Sequence, residues 1–230
     1  MWLAIVDWWY DRDVDASLRE FRTALVMQPD LVTAHQWYGM VLVAIGRFDE
    51  GIAETRRAYE LDSLAPNVAT VMGYNLFFAG RNDAAIEQLR TATTIQRDNW
   101  WAHAWLARAY ARAGRFPEAI AAARKAQQLS AYAEVESVLG RVLADAGDRV
   151  EATRVLTHLR ERMRNEFVAP PYVATILIGL GQLDEALVEL AKAAEEHSYY
   201  VMVWKVDPDL DPLRSDPRFT ALLKKVGLDK

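Results

Sequence analysis

The chain's 230 residues suffice for one large domain or a short array of repeats, and a hydrophobic share of 52% supplies a sizeable core and argues against disorder. A net charge of −5, from 27 basic and 32 acidic residues, argues against a general nucleic-acid binder, which carries a basic excess. With no cysteine, disulfides and thiolate metal sites are excluded, and no stretch reaches the ~20 apolar residues of a membrane span.

Met1 to Tyr10 is an apolar opening that holds Trp2, Trp8 and Trp9. It has no cationic leading region and no small-residue cleavage site, so it does not read as a signal peptide. It reads as a short first helix, paired with a second helix over Ser17-x3-Phe21-x2-Ala24-x4-Pro29. Between them, Asp11-Arg12-Asp13-Val14-Asp15 imitates the start of a calcium loop. Such a loop needs Gly at its sixth position and Glu at its twelfth. Ala16 and Arg22 stand there instead, so a helix-capping turn is expected.

One motif then recurs five times. It reads Gly46-Arg47-Phe48-Asp49-Glu50-Gly51, Gly80-Arg81-Asn82-Asp83-Ala84-Ala85 and Gly114-Arg115-Phe116-Pro117-Glu118-Ala119. It continues as Gly147-Asp148-Arg149-Val150-Glu151-Ala152 and Gly181-Gln182-Leu183-Asp184-Glu185-Ala186. The glycines step by 34, 34, 33 and 34 residues. Such a glycine ends a helix in a left-handed conformation that other residues resist. The acidic residues after it sit in the first turn of the next helix, where the dipole favours them. The closing Ala or Gly is small because two helices cross closely there. Seven residues before each turn glycine lies another small residue: Gly39, Gly73, Ala107, Gly140 and Ala174. Downstream, Ala58, Ala92, Ala126 and Ala193 are small again, and Leu159 takes that place in the fifth repeat.

Here the sequence resembles the tetratricopeptide-repeat (TPR) family, whose pattern is W-x2-L-G-x2-Y…A-x3-F…P. The fourth repeat reads His103-x2-Leu106-Ala107-x2-Tyr110…Ala119-x3-Ala123, and the second His35-x2-Tyr38-Gly39-x2-Leu42…Gly51-x3-Thr55. The closing proline survives only as Pro29. The resemblance implies an all-α fold, a right-handed α-solenoid of about six 34-residue helix-turn-helix repeats with a C-terminal capping helix. The repeats fall near residues 1–31 (clipped), 32–65, 66–99, 100–132, 133–166 and 167–198, followed by an extension over 199–230.

In that extension Asp216-Pro217 is an N-cap followed by proline at the first helical position. Phe219, Leu222, Leu223 and Val226 share one face, and Gly227 is placed to stop the helix. The segment from Val206-Asp207-Pro208 to Phe219 resembles the closing segment of C-terminal TPR arrays in bacterial multidomain regulators. Their other parts are winged-helix transcriptional activators, Ser/Thr kinases or nucleotide cyclases. The resemblance implies a regulatory interaction module, with a protein or peptide as partner.

No catalytic signature is present. The histidines His35, His103, His158 and His197 form no HExxH and no i,i+4 pair, and no GxSxG, GxxxxGK or GxGxxG occurs. His35 and His103 take the place of the repeat's Trp and are expected to be packed. An enzyme is not expected, and neither a cofactor nor a metal is.

What remains is the concave groove, which the first helices of stacked hairpins line. By the TPR register it carries Gln36, Met40, Asn67, Tyr74, Phe77, Phe78, Trp101, Trp105, Arg108, Arg112 and Arg141. Phe77 and Trp105 read as core. Gln36, Met40, Asn67, Tyr74, Phe78, Trp101, Arg108, Arg112 and Arg141 are therefore the candidate contacts for a partner. Aromatics and Arg dominate binding energy at interfaces, and the three arginines are candidates for holding an anion. The Lys and Asn placement of a chaperone-tail carboxylate clamp is missing. The alternative is a homodimer formed through an uncovered first repeat, with Trp2, Trp8 and Trp9 as the contact. A cytoplasmic setting is expected, or a periplasmic one under a membrane-anchored parent.

Overall fold

The computed structural model describes residues 2–196 and 198–228. Met1 and His197 lie outside the described residues. The described residues contain helices and turns and no strand, and they gather into two compact units.

The first unit runs to Arg97 and includes Met202–Val206. It opens with α1 (Trp2–Val6), which continues as a π-helical turn over Asp7–Asp11. Then follow α2 (Val14–Met27), α3 (Val32–Ala44), α4 (Phe48–Leu61), α5 (Pro66–Phe78) and α6 (Asn82–Ile95). The second unit holds α7 (Trp100–Arg112), α8 (Phe116–Leu129), α9 (Ala133–Asp145), α10 (Arg149–Arg162), α11 (Pro170–Gly179) and α12 (Leu183–Glu195). A 3-10 helix over Pro208–Leu213 and α13 (Pro217–Lys225) complete it.

The five hairpins from α3–α4 to α11–α12 turn in one way. Gly46, Gly80, Gly114, Gly147 and Gly181 all have φ between 71° and 87°. The residue after each glycine donates its backbone N–H to the carbonyl five residues back: Arg47 to Leu42, Arg81 to Leu76, Arg115 to Tyr110, Asp148 to Leu143 and Gln182 to Leu177, at 2.8–2.9 Å. This closes the helix ends that would otherwise leave carbonyls unmet. Gly227 (φ 80°) ends α13 in the same manner, as Leu228 donates to Leu223 at 2.8 Å. The capping turn expected near the start is present: Asp13 Oδ1 accepts from the Ala16 N–H at 2.8 Å.

The small residues sit at helix crossings. Ala58, Ala92, Ala126 and Ala193 are fully buried, and so are Ala85, Ala119, Ala152 and Ala186. At Gly39 an added Cβ would lie 2.7 Å from the Gly51 carbonyl oxygen, so α3 and α4 touch backbone to backbone. At Gly140 the obstacle is different. The nearest atom is Ile176 Cδ1 of α11, at 2.6 Å, rather than one on its hairpin partner. Small residues in this series thus serve contacts between repeats as well as within them.

Candidate interaction site

In the second unit, the first helix of each hairpin packs on its counterparts: α9 lies against α7 and α11, and the Pro208–Leu213 turn rests on α11. Helical spacing puts Trp101, Trp105, Arg108 and Arg112 along one stripe of α7. Trp101 and Trp105 meet edge to face, with ring centroids 6.4 Å apart, and the Arg108 guanidinium lies 4.3 Å over the Trp105 ring. That stacking is worth ~1 kcal/mol or more where water is excluded, and it fixes the direction of the arginine.

Arg108 points into the chain's own acidic segment. Its Nη2 donates to Asp207 Oδ1 (2.9 Å) and Oδ2 (3.1 Å) and to Asp209 Oδ2 (2.7 Å), and its Nε donates to Asp209 Oδ2 at 3.0 Å. Arg141 of α9 donates from Nη1 to the backbone carbonyl of Asp209 at 3.1 Å and from Nε to Asp145 at 2.9 Å. Arg112 makes longer contacts, 3.4 Å each, to Asp211 Oδ2 and the Pro208 carbonyl. Arg214 donates back to Asp211 Oδ1 and to the Asp207 carbonyl, both at 2.9 Å. The Asp209 N–H closes the turn on Asp207 Oδ1 at 3.0 Å.

The electrostatics follow from burial. Desolvation alone would lower the Arg108 pKa, but Asp207 and Asp209 more than offset it and hold the guanidinium charged. Burial likewise pushes Asp209 up, and Arg108, Arg141 and Arg112 together bring it below the ordinary carboxylate range. Asp207 goes the other way: burial and the neighbouring Asp209 outweigh its share of Arg108, and it is raised. Two carboxylates that share one guanidinium titrate as a pair, one easily protonated and one reluctantly.

The three arginines expected to hold an anion therefore do converge, but their anions come from this chain. Arg141 is 7% exposed and is no surface contact. Trp101 is half-buried and Arg112 remains exposed. In the first unit the expected contacts divide. Asn67 is exposed and Gln36 half-buried. Met40, Tyr74 and Phe78, expected on the groove surface, are instead buried. Tyr74 packs edge to face on Phe78 with centroids 4.6 Å apart, and Phe77 packs on Phe78 at 5.4 Å. The register that points a side chain at a groove also points it at the next helix, and these apolar side chains are the ones that become covered. Phe77 and Trp105 are core, as expected.

The expected self-association residues also divide. Trp2 is 70% exposed and Trp9 37%, whereas Trp8 is 2% exposed and belongs to the core. Trp9 is partly engaged within the unit, edge to face on Trp37 at 5.2 Å. His35 is packed: its Nδ1 meets Glu54 at 2.6 Å and its Nε2 the Pro29 carbonyl at 2.8 Å. His103 is half-buried.

Sequence reasoning missed one cluster beside the arginines. Tyr172 of α11 and Tyr200 share a hydrogen bond between hydroxyls at 2.6 Å, and the Tyr199 ring lies 4.1 Å from that of Tyr200. Burial raises the pKa of Glu134 of α9, against the lowering effect of the Tyr200 hydroxyl and the charge of Arg108. The Tyr199-Tyr200 pair is a visible signal, but nothing in the chain pairs it with Glu134 in advance.

Models of the tetratricopeptide repeat match residues 7–66, 76–129 and 133–156, together more than half of the chain. No curated protein sequence matches it. Among solved structures, a thermophilic TPR protein of Thermus thermophilus is similar at 19% identity and TM-score 0.60, over 85% of this chain and 98% of that one. Pseudomonas aeruginosa pilF is similar at 16% identity and TM-score 0.61, over 87% and 91%. YrrB, described as a TPR protein with an unusual peptide-binding site, is similar at 17% identity and TM-score 0.50, over 80% and 95%. These likenesses show the fold. Glycine-closed hairpins at steps of 33 or 34 residues, a small residue before and after each turn glycine, and the three repeat models lead to one assignment: the chain belongs to the tetratricopeptide-repeat family.

Proposed function

We propose that this TPR protein, whose fold is that of a protein-protein interaction module, holds an acidic segment of a partner protein on the face built by α7 and α9. The observation that carries this is the convergence of Arg108, Arg112 and Arg141 on a carboxylate-bearing turn, with donors to side chains and to backbone carbonyls alike. Forked guanidiniums suit carboxylates, and buried or half-buried Arg beside Trp is the composition of an interface hot spot. YrrB, similar in fold, is described as having a peptide-binding site. The similarity of Val206–Phe219 to the ends of bacterial regulator arrays supports a regulatory part in a larger signalling or transcription protein, working as a scaffold rather than a catalyst. A display selection of peptides against the whole chain tests this. Enriched sequences should be acidic and should lose binding to Arg112→Glu, which changes an exposed side chain. A selection that enriches nothing sinks the proposal.

A second reading, self-association, draws on the exposure of Trp2, Leu3, Val6 and Tyr10 on and just after α1 (48–76%). An apolar patch of that kind favours a covering partner. Light scattering should then show a dimer that Trp2→Ala with Tyr10→Ala weakens; a monomer at high concentration excludes it.

A further inference from the structure

The proposed holding face is already filled, and this bears on how a partner reaches it. Resting on the reading above, we infer that Asp207–Asp211 is a built-in stand-in ligand, exchanged for a partner segment of the same chemistry: acidic residues at alternate positions with an apolar residue before the third.

The pattern comes from the present occupant. Asp207, Asp209 and Asp211 alternate along the chain, and Arg108 takes the first two while Arg112 meets the third. Leu210, between the last two, is buried at 5% exposure. Arg141 and Arg112 meet main-chain carbonyls, of Asp209 and Pro208, and so recognise a backbone as well as side chains. A face made only to neutralise charge has no need of that.

Desolvation explains why the event is exchange rather than release. The Arg141 and Asp209 side chains are 8% and 7% exposed, and Arg108 is 15% exposed. Vacating the face would take the Asp207 and Asp209 carboxylates from the buried Arg108 and Asp209 from Arg141, which keeps Asp145, and removing one side of a buried pair is the costly way to break it. Replacing one acidic segment by another restores those contacts. Exposure also grades along the segment. Asp211 is 48% exposed, Arg112 37% and Arg214 36%, so an incoming carboxylate meets Arg112 first and Arg108 last. The stand-in competes at the high effective concentration of a tethered ligand. It therefore rejects weak acidic peptides and admits one that is tethered, abundant or better matched.

The test uses a fluorescent peptide of sequence Asp-Pro-Asp-Leu-Asp-Pro-Leu and the whole chain. Neutralising the stand-in with Asp207→Asn, Asp209→Asn and Asp211→Asn should tighten peptide binding at least about tenfold. Adding Arg112→Glu should remove most of that gain, and a peptide carrying Asn for Asp should not bind. Equal binding to the wild-type and the folded triple variant, or equal binding of the Asn peptide, overturns the inference. Should the triple variant unfold, the cysteine-free chain allows a second measurement, a single dye on Asp211→Cys. Excess acidic peptide should lower the dye's anisotropy as the turn leaves, and an unchanged anisotropy overturns the inference. Display-selected binders that ignore this peptide leave the interaction module standing and remove the exchange.

Discussion

Arg12 stands one repeat length before Gly46 and does the work of the turn glycine without being one. Its φ of 57° makes it the one non-glycine in the left-handed region among the described residues. Its N–H returns to the Asp7 carbonyl, and its Nε and Nη2 are buried with no partner among the described residues. Burial accordingly lowers its pKa. A side chain in that conformation costs roughly 1–2 kcal/mol, and glycine avoids it at an entropic cost of about 0.5–1 kcal/mol. Arg12→Gly is therefore expected to stabilise the first hairpin by about 1 kcal/mol, read as a rise in the denaturation midpoint; a fall would show that the guanidinium holds a contact that matters. The 34-residue step locates this turn, but a search for glycine passes over it.

At the scale of elements, the α3–α4 crossing shows why residue size is legible in sequence while its consequence is not. An added methyl at Gly39 would meet both the Gly51 carbonyl oxygen and the Thr55 hydroxyl, at 2.7 and 2.3 Å. Thr55 is not idle there. Its hydroxyl donates to the Gly51 carbonyl at 2.9 Å and accepts from Asn75 Nδ2 of α5 at 2.6 Å, with all of this buried. Gly140 faces the end of the Ile176 side chain rather than backbone. Gly39→Ala is thus expected to cost about 2–3 kcal/mol and Gly140→Ala about 1 kcal/mol, compared by urea denaturation of the two variants. Equal costs would show that the backbone contact at α3–α4 yields as readily as a side chain. Thr55→Val keeps the shape but strands Asn75, and a loss of about 1–3 kcal/mol is expected in the same measurement. The motif announces a small residue at each of these places. It does not announce the buried Thr55–Asn75 link, because a hydroxyl and an amide carry no periodic signal.

Across the second unit, Arg108 lies 101 residues from Asp209 and Arg141 lies 68 from it, so no local pattern joins them. The arginine stripe was legible from the repeat register, and the acidic turn from its own composition. Only the chain's return brings the two together, and it turns an expected surface into a closed contact. Acid should reopen that contact in a defined order. Asp207, with its pKa raised, takes a proton first as pH falls, and that step does not destabilise the fold, since the folded state binds this proton more tightly than the unfolded chain does. Asp209, with its pKa lowered, behaves oppositely. Its contribution is fully present above the unfolded value of about 3.9 and is lost as pH falls through the lower folded value. Asp209→Asn removes that charge from between Arg108 and Arg141, and should cost about 3–5 kcal/mol at neutral pH. Below about pH 4 the unfolded chain takes up this proton while the folded wild-type does not, so the wild-type's advantage shrinks until pH passes the lower folded value, and the gap between the two thermal midpoints should narrow over that range. Midpoints followed by circular dichroism from pH 7 to pH 2.5 check this. A gap that stays constant across the range would mean that Asp209 holds the turn by shape and hydrogen bonding, and that its charge contributes nothing.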